Sequence, residues 1–126
     1  MSLEHKSIFM AESIATAREF DELARIKYHI SKFTIYDALP NFSVIRQYDG
    51  GIAHVGRNTK SIEADLETIK QAQKANYPLI VVVSLLTKTD IANAQLIEST
   101  GISTFVKYHP KIYLAAFDQL YQMVNS

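Results

Sequence analysis

Pro78-Leu-Ile-Val-Val-Val-Ser-Leu-Leu86 decides the fold of this chain. Ile80, Val81, Val82 and Val83 are all β-branched. Such side chains pack well on a pleated surface and lose rotamer freedom in a helix, so the stretch favours an extended backbone. It shows no alternation of apolar and polar residues, which means that both faces of the strand need cover. A strand covered on both faces belongs at the centre of a parallel sheet with helices above and below. The run is also far too short to cross a bilayer.

Working outward, the pattern alternates strand and helix. Upstream, Ile62, Leu66, Ile69 and Ala72 make an apolar stripe that predicts a helix over Lys60–Asn76, with Glu63, Glu67, Lys70 and Lys74 on its wet face. Before it lies a short third strand, Gly51–Val55, entered through an Asp49-Gly50-Gly51 turn. Asn41 can cap a short helix reaching about Tyr48, Lys32–Ala38 reads as the second strand, and Ser13 can cap a helix over roughly 14–28. Ser7–Glu12 is the first strand. Downstream, Thr89-Asp90 opens a helix that stops before Gly101, Ile102–Lys107 is the fifth strand, and Pro110 starts the last helix. Five such alternations imply a parallel sheet with helices on both faces, in the order 2-1-3-4-5.

Composition bounds the function. The 126 residues suit one domain, residues 1–126. With 48% apolar and 21% charged residues the chain reads as an ordinary globular protein. Lysine plus arginine balance aspartate plus glutamate at 13 each, so the broad basic surface that nucleic-acid binding needs is missing. Glu4, His5 and Lys6 precede only a few apolar residues, which is no signal-peptide pattern; the cytoplasm is the expected compartment, with no membrane partner. Cysteine is absent, which removes disulfides, thiolate metal sites and cysteine nucleophiles.

Open α/β sheets place their chemistry at the carboxyl ends of the strands. Glu12 ends the first strand here, Ser84 the core of the fourth and Lys107 the fifth, while the third ends at Gly56. In this order and spacing, with Ala11-Glu12-Ser13, Val83-Ser84 and Gly101-Ile-Ser-Thr-Phe-Val-Lys107, the chain resembles the receiver domain of bacterial response regulators over residues 6–124. Receivers carry an acidic pair after strand one, a phosphoacceptor Asp after strand three, a Ser or Thr after strand four and a Lys after strand five. The resemblance implies a flavodoxin-like (βα)5 three-layer sandwich, a role in two-component signalling, and a contact surface made by helix four, strand five and helix five.

The departures bear on function. Ala11 replaces one acid, and Gly56 stands where the acceptor belongs, with Val55 and Arg57 beside it. Tyr108-His109 intervene before Pro110, where the family has Pro directly after the Lys, and Thr104, next to Phe105, holds the family's aromatic switch position. A receiver's phosphorylation needs a carboxylate nucleophile and a divalent metal held by carboxylates. This chain offers one acid and no acceptor, so no catalytic residue, metal or cofactor is expected. Glu12 and Lys107 either pair or remain separate at a solvated rim; Arg57 is an alternative partner for Glu12, and Ser13 adjoins the pocket. By the two-residue period of a strand, His54 and Gly56 face the same side. No second ligand stands at metal-binding spacing from His54, which favours a satisfied core histidine over a ligand or base.

In the last helix Tyr113, Phe117 and Tyr121 recur every fourth residue beside a second apolar row, Ile112, Ala116, Leu120 and Met123. Together they exceed the width one sheet face covers, so the aromatic row is expected to meet a protein partner or a second copy. The expected function is a pseudo-receiver: a phosphorylation-independent signalling and protein-interaction domain. The alternative is a small-molecule sensor or enzyme working in the crevice between Glu12, His54, Ser84 and Lys107. A third possibility is a detached piece of a larger signalling protein whose effector partner is lost or encoded separately.

Overall fold

A computed structural model describes residues 3, 5–56, 62–109 and 111–125. Five strands alternate with five helices: β1 (Ser7–Ala11), α1 (Ile14–Tyr28), β2 (Lys32–Tyr36), α2 (Phe42–Ile45), β3 (Gly50–His54), α3 (Ile62–Lys74), β4 (Leu79–Val83), α4 (Lys88–Glu98), β5 (Thr104–Val106) and α5 (Ile112–Val124). All pairings are parallel and the order is β2-β1-β3-β4-β5. The expected flavodoxin-like sandwich is therefore the observed one. Among the described residues no helix is long and apolar enough to cross a membrane.

Strand residues alternate between two cores, as a period of two requires. Ile8, Met10, Ile52, Ile80 and Val82 pack under α1 and α5 with Ala17, Phe20, Tyr28, Tyr113, Phe117 and Leu120. Phe9, Ala11, Ala53, Val81 and Val83 pack on the other face with Ile45, Ile69, Ala72, Ala94 and Ile97 from α2, α3 and α4. β4 is buried along its whole length, which is why its sequence carries no alternation.

Helix ends follow local chemistry. Ser13 caps α1 by accepting from the Thr16 amide. The start of α4 lies earlier than Thr89-Asp90. Thr87 and Asp90 form a reciprocal capping box, and the Asp90 carboxylate also accepts from the Leu86 amide. The expected helix starts at Lys60 and Pro110 lie outside the described residues.

One expectation fails. Tyr113 and Phe117 do not face outward; both are fully buried, and Tyr121 is half-buried against the same core. The physical reason is that aromatic rings from two neighbouring elements reach across to α5. Phe117 lies 5.5 Å from the ring of Tyr28, 6.5 Å from Phe20 and 6.1 Å from Phe33, centroid to centroid. Both apolar rows of α5 thus belong to the core.

Gly51 is fixed by close packing. A Cβ there would lie 2.1 Å from the Phe9 ring, itself fully buried and set edge-on against Tyr36 and Tyr48. The ring has nowhere to retreat, so Gly51→Ala should destabilise the domain by about 2 kcal/mol through overpacking. Urea unfolding reads this as a lower midpoint at unchanged slope; an unchanged midpoint would contradict the packing described.

Candidate functional site

The sheet register brings the site together. Ala11 pairs with Ala53, His54 with Val82 and Val83 with Val106, so Glu12, His54, Ser84 and Lys107 stand side by side at the carboxyl edge. Each follows by two residues a side chain of the α1/α5 core: Met10, Ile52, Val82 and Phe105. Their mutual hydrogen bonds and the bond from Tyr113 of α5 to Glu12 place all four on the face that α5 covers.

The centre is Glu12, whose side chain is 1% exposed. Its Oε1 accepts from the Ser13 amide at 2.8 Å. Its Oε2 accepts from Nδ1 of His54 at 2.9 Å, from Nζ of Lys107 at 3.3 Å and from the Tyr113 hydroxyl. Nε2 of His54 in turn lies 2.8 Å from Oγ of Ser84. Lys107 also sits 5.8 Å above the Tyr113 ring. Of the two arrangements open for Glu12 and Lys107, the structure shows the pair.

Burial alone would push the Glu12 carboxyl up. Hydrogen bonds from His54 and Tyr113, the electrostatic attraction of the His54 ring and the Ser13 amide outweigh it and bring the value from 4.5 to about 2. A carboxylate this well supplied with donors is anionic at neutral pH.

Gly56 is not part of this cluster. The chain turns into the left-handed region there, φ 73°, and a Cβ would point at Asn93 of α4 and Ile62 of α3. The period-two argument that put His54 and Gly56 on one face fails because β3 ends at His54. The side chain that lies between Glu12 and Ser84 is the imidazole of His54. Ser13 contributes its amide to Glu12 and its hydroxyl to the α1 cap, and Arg57 lies outside the described residues. The spacing of matched strand ends pointed past His54. The missed signal was its place two residues after Ile52, on the inward-facing row.

The site does not suit a divalent cation of the kind receivers use. Magnesium takes hard oxygen ligands in an octahedral shell. Here Ala11 offers no ligand, and both oxygens of Glu12 already face hydrogen-bond donors, one of them an ammonium. Among the described residues no group of three or more His, Asp or Glu could hold a metal ion.

No family model and no curated protein matches the chain. Solved structures do match. Full-length FixJ from B. japonicum superposes with a TM-score of 0.60 at 15% identity, over 96% of this chain and 60% of FixJ. A DNA-binding response regulator of the LuxR family from Staphylococcus aureus gives 0.59 at 12% identity, over 91% of this chain and 98% of that one. The response regulator ChrA of a heme-sensing two-component system gives 0.59 at 8% identity, over 95% and 58%. This chain thus spans about three fifths of FixJ and ChrA. At such identities the likeness establishes a receiver-like fold.

Glu12 ionises near 4.5 when unfolded and near 2 when folded, so its contribution to stability is complete above the unfolded value. It disappears as pH falls through the window between those values, a loss of about 3 kcal/mol. Urea midpoints taken from neutral pH down to about pH 2 should fall accordingly. Tyr113→Phe should be about 1–2 kcal/mol less stable at neutral pH and lose less on acidification. A flat acid profile would contradict a buried anionic Glu12.

Proposed function

We propose that this chain is a receiver-like signalling domain that works by protein contact and takes no phosphoryl group. One observation carries the proposal: a histidine side chain, His54, lies between Glu12 and Ser84, in the crevice where the resemblance calls for an acceptor aspartate. The carboxylate that would help to hold a metal is instead neutralised by Lys107 and saturated by Tyr113 and Ser13. The three similar structures are response regulators, which supports a role in signalling.

The contact surface we assign is α4 with the loops at the ends of β4 and β5. Leu86 is 89% exposed and Tyr108 83%, while Ile91 and Leu96 of α4 are exposed as well. Four large apolar side chains in solvent within one stretch of chain favour a protein partner or a second copy. The buried Tyr113 and Phe117 supply the floor of α5 rather than the contact.

Backbone amide spectra should not change on adding magnesium with beryllofluoride. A saturable shift of the Glu12, His54 or Lys107 amides would contradict the proposal.

A further inference from the structure

The polar chain Ser84–His54–Glu12 has an order that pairing alone does not require. The Oγ of Ser84 is 2.8 Å from Nε2 of His54, and Nδ1 of the same ring is 2.9 Å from Oε2 of Glu12. The acid is buried, the imidazole is 6% exposed, and the serine is half-buried. A carboxylate has no proton to give, so in the neutral ring the hydrogen sits on Nδ1 and Nε2 is left to accept from the hydroxyl. This is how a serine is activated: a base in hydrogen-bond reach, fixed in tautomer and orientation by a buried carboxylate. Role and distance define such a relay, not the fold that carries it.

The surroundings fit a reaction at Ser84. It stands at the carboxyl end of the central β4, where sheets of this order place their sites. Lys107 ends the adjacent strand, its ammonium held on the same carboxylate, and provides a positive charge at that edge. Leu86, two residues on, and Tyr108, next to Lys107, are exposed apolar side chains close in sequence to the relay.

We infer that Ser84 is a nucleophile that takes an acyl group from a small carboxylic ester. Its Oγ attacks the ester carbonyl while its proton passes to Nε2 of His54. The tetrahedral intermediate collapses, the carbon–oxygen bond to the alcohol breaks, and the alcohol leaves with the proton from His54. Ser84 is then acylated, and water entering with His54 as base restores the hydroxyl and releases the acid. Glu12 touches no reacting atom; it is the positioning residue. The inference needs only these three side chains and goes beyond the proposed signalling role without resting on it.

The test uses the whole chain, a fluorophosphonate probe and p-nitrophenyl acetate. Intact mass should show one label per chain, peptide mapping should place it on Ser84, and Ser84→Ala should abolish it. His54→Ala should slow labelling at least tenfold, with added imidazole restoring part of the rate. Glu12→Gln should slow it and move its pH profile downward, because the ring has lost a neighbouring anion. Circular dichroism of each variant separates loss of chemistry from loss of fold. The wild type should release p-nitrophenol faster than Ser84→Ala. No label on the folded wild type, or equal labelling of Ser84→Ala, would overturn the inference. The response to beryllofluoride is independent of this, so either idea can fail without the other.

Discussion

The carboxylate of Glu12 is the constraint around which this molecule is arranged. Taking a charge out of water costs several kcal/mol, and the cost is offset only if donors meet it in good geometry. The donors come from four places: the entry to α1 (Ser13), the end of β3 (His54), the end of β5 (Lys107) and the first turn of α5 (Tyr113). One side chain therefore ties together elements far apart in sequence. It sets the position of α5 on the sheet and the order of the whole carboxyl edge. Loss of any donor would leave part of a buried anion uncompensated, so the network is specific as well as stabilising.

The two faces of the sheet divide the work. The α1/α5 face holds the polar cluster at one end of an aromatic core in which Phe20, Tyr28, Phe33, Tyr113 and Phe117 pack together. The opposite face is built tightly enough that only glycine fits at position 51. Large apolar side chains are exposed at Leu86 in the β4–α4 loop, at Ile91 and Leu96 of α4 and at Tyr108 after β5, as well as at Ile14 and Ile26 of α1. Leu86 and Tyr108 stand within two residues of Ser84 and Lys107, so the contact surface we propose adjoins the polar cluster along the chain. The fold permits this without prescribing it; what the edge does depends on the residues standing on it.

The fold was legible in the chain because each strand is short, apolar and bounded by joints, while α3 carries a clean stripe at helical spacing. Ser84, Glu12 and Lys107 were legible as strand-end residues for the same reason. Two things were not. His54 is legible as a crevice neighbour, but matching gap lengths point to Gly56 for the acceptor position, and a left-handed turn at a strand end is invisible to spacing. The burial of Tyr113 and Phe117 was missed because the width of the α5 stripe was compared with the sheet alone. Rings from α1 and β2 also reach that helix, and their reach depends on crossing geometry that one sequence does not encode locally.

The most direct measurement is the titration of Glu12 itself, followed by carboxyl carbon NMR in the folded protein. A midpoint near 2, well below the ordinary 4.5, is the expected result, because the anion is held by His54, Tyr113 and Ser13. A midpoint at or above 4.5 would show that burial cancels or outweighs the donors, and the arrangement described for the sheet edge would not stand.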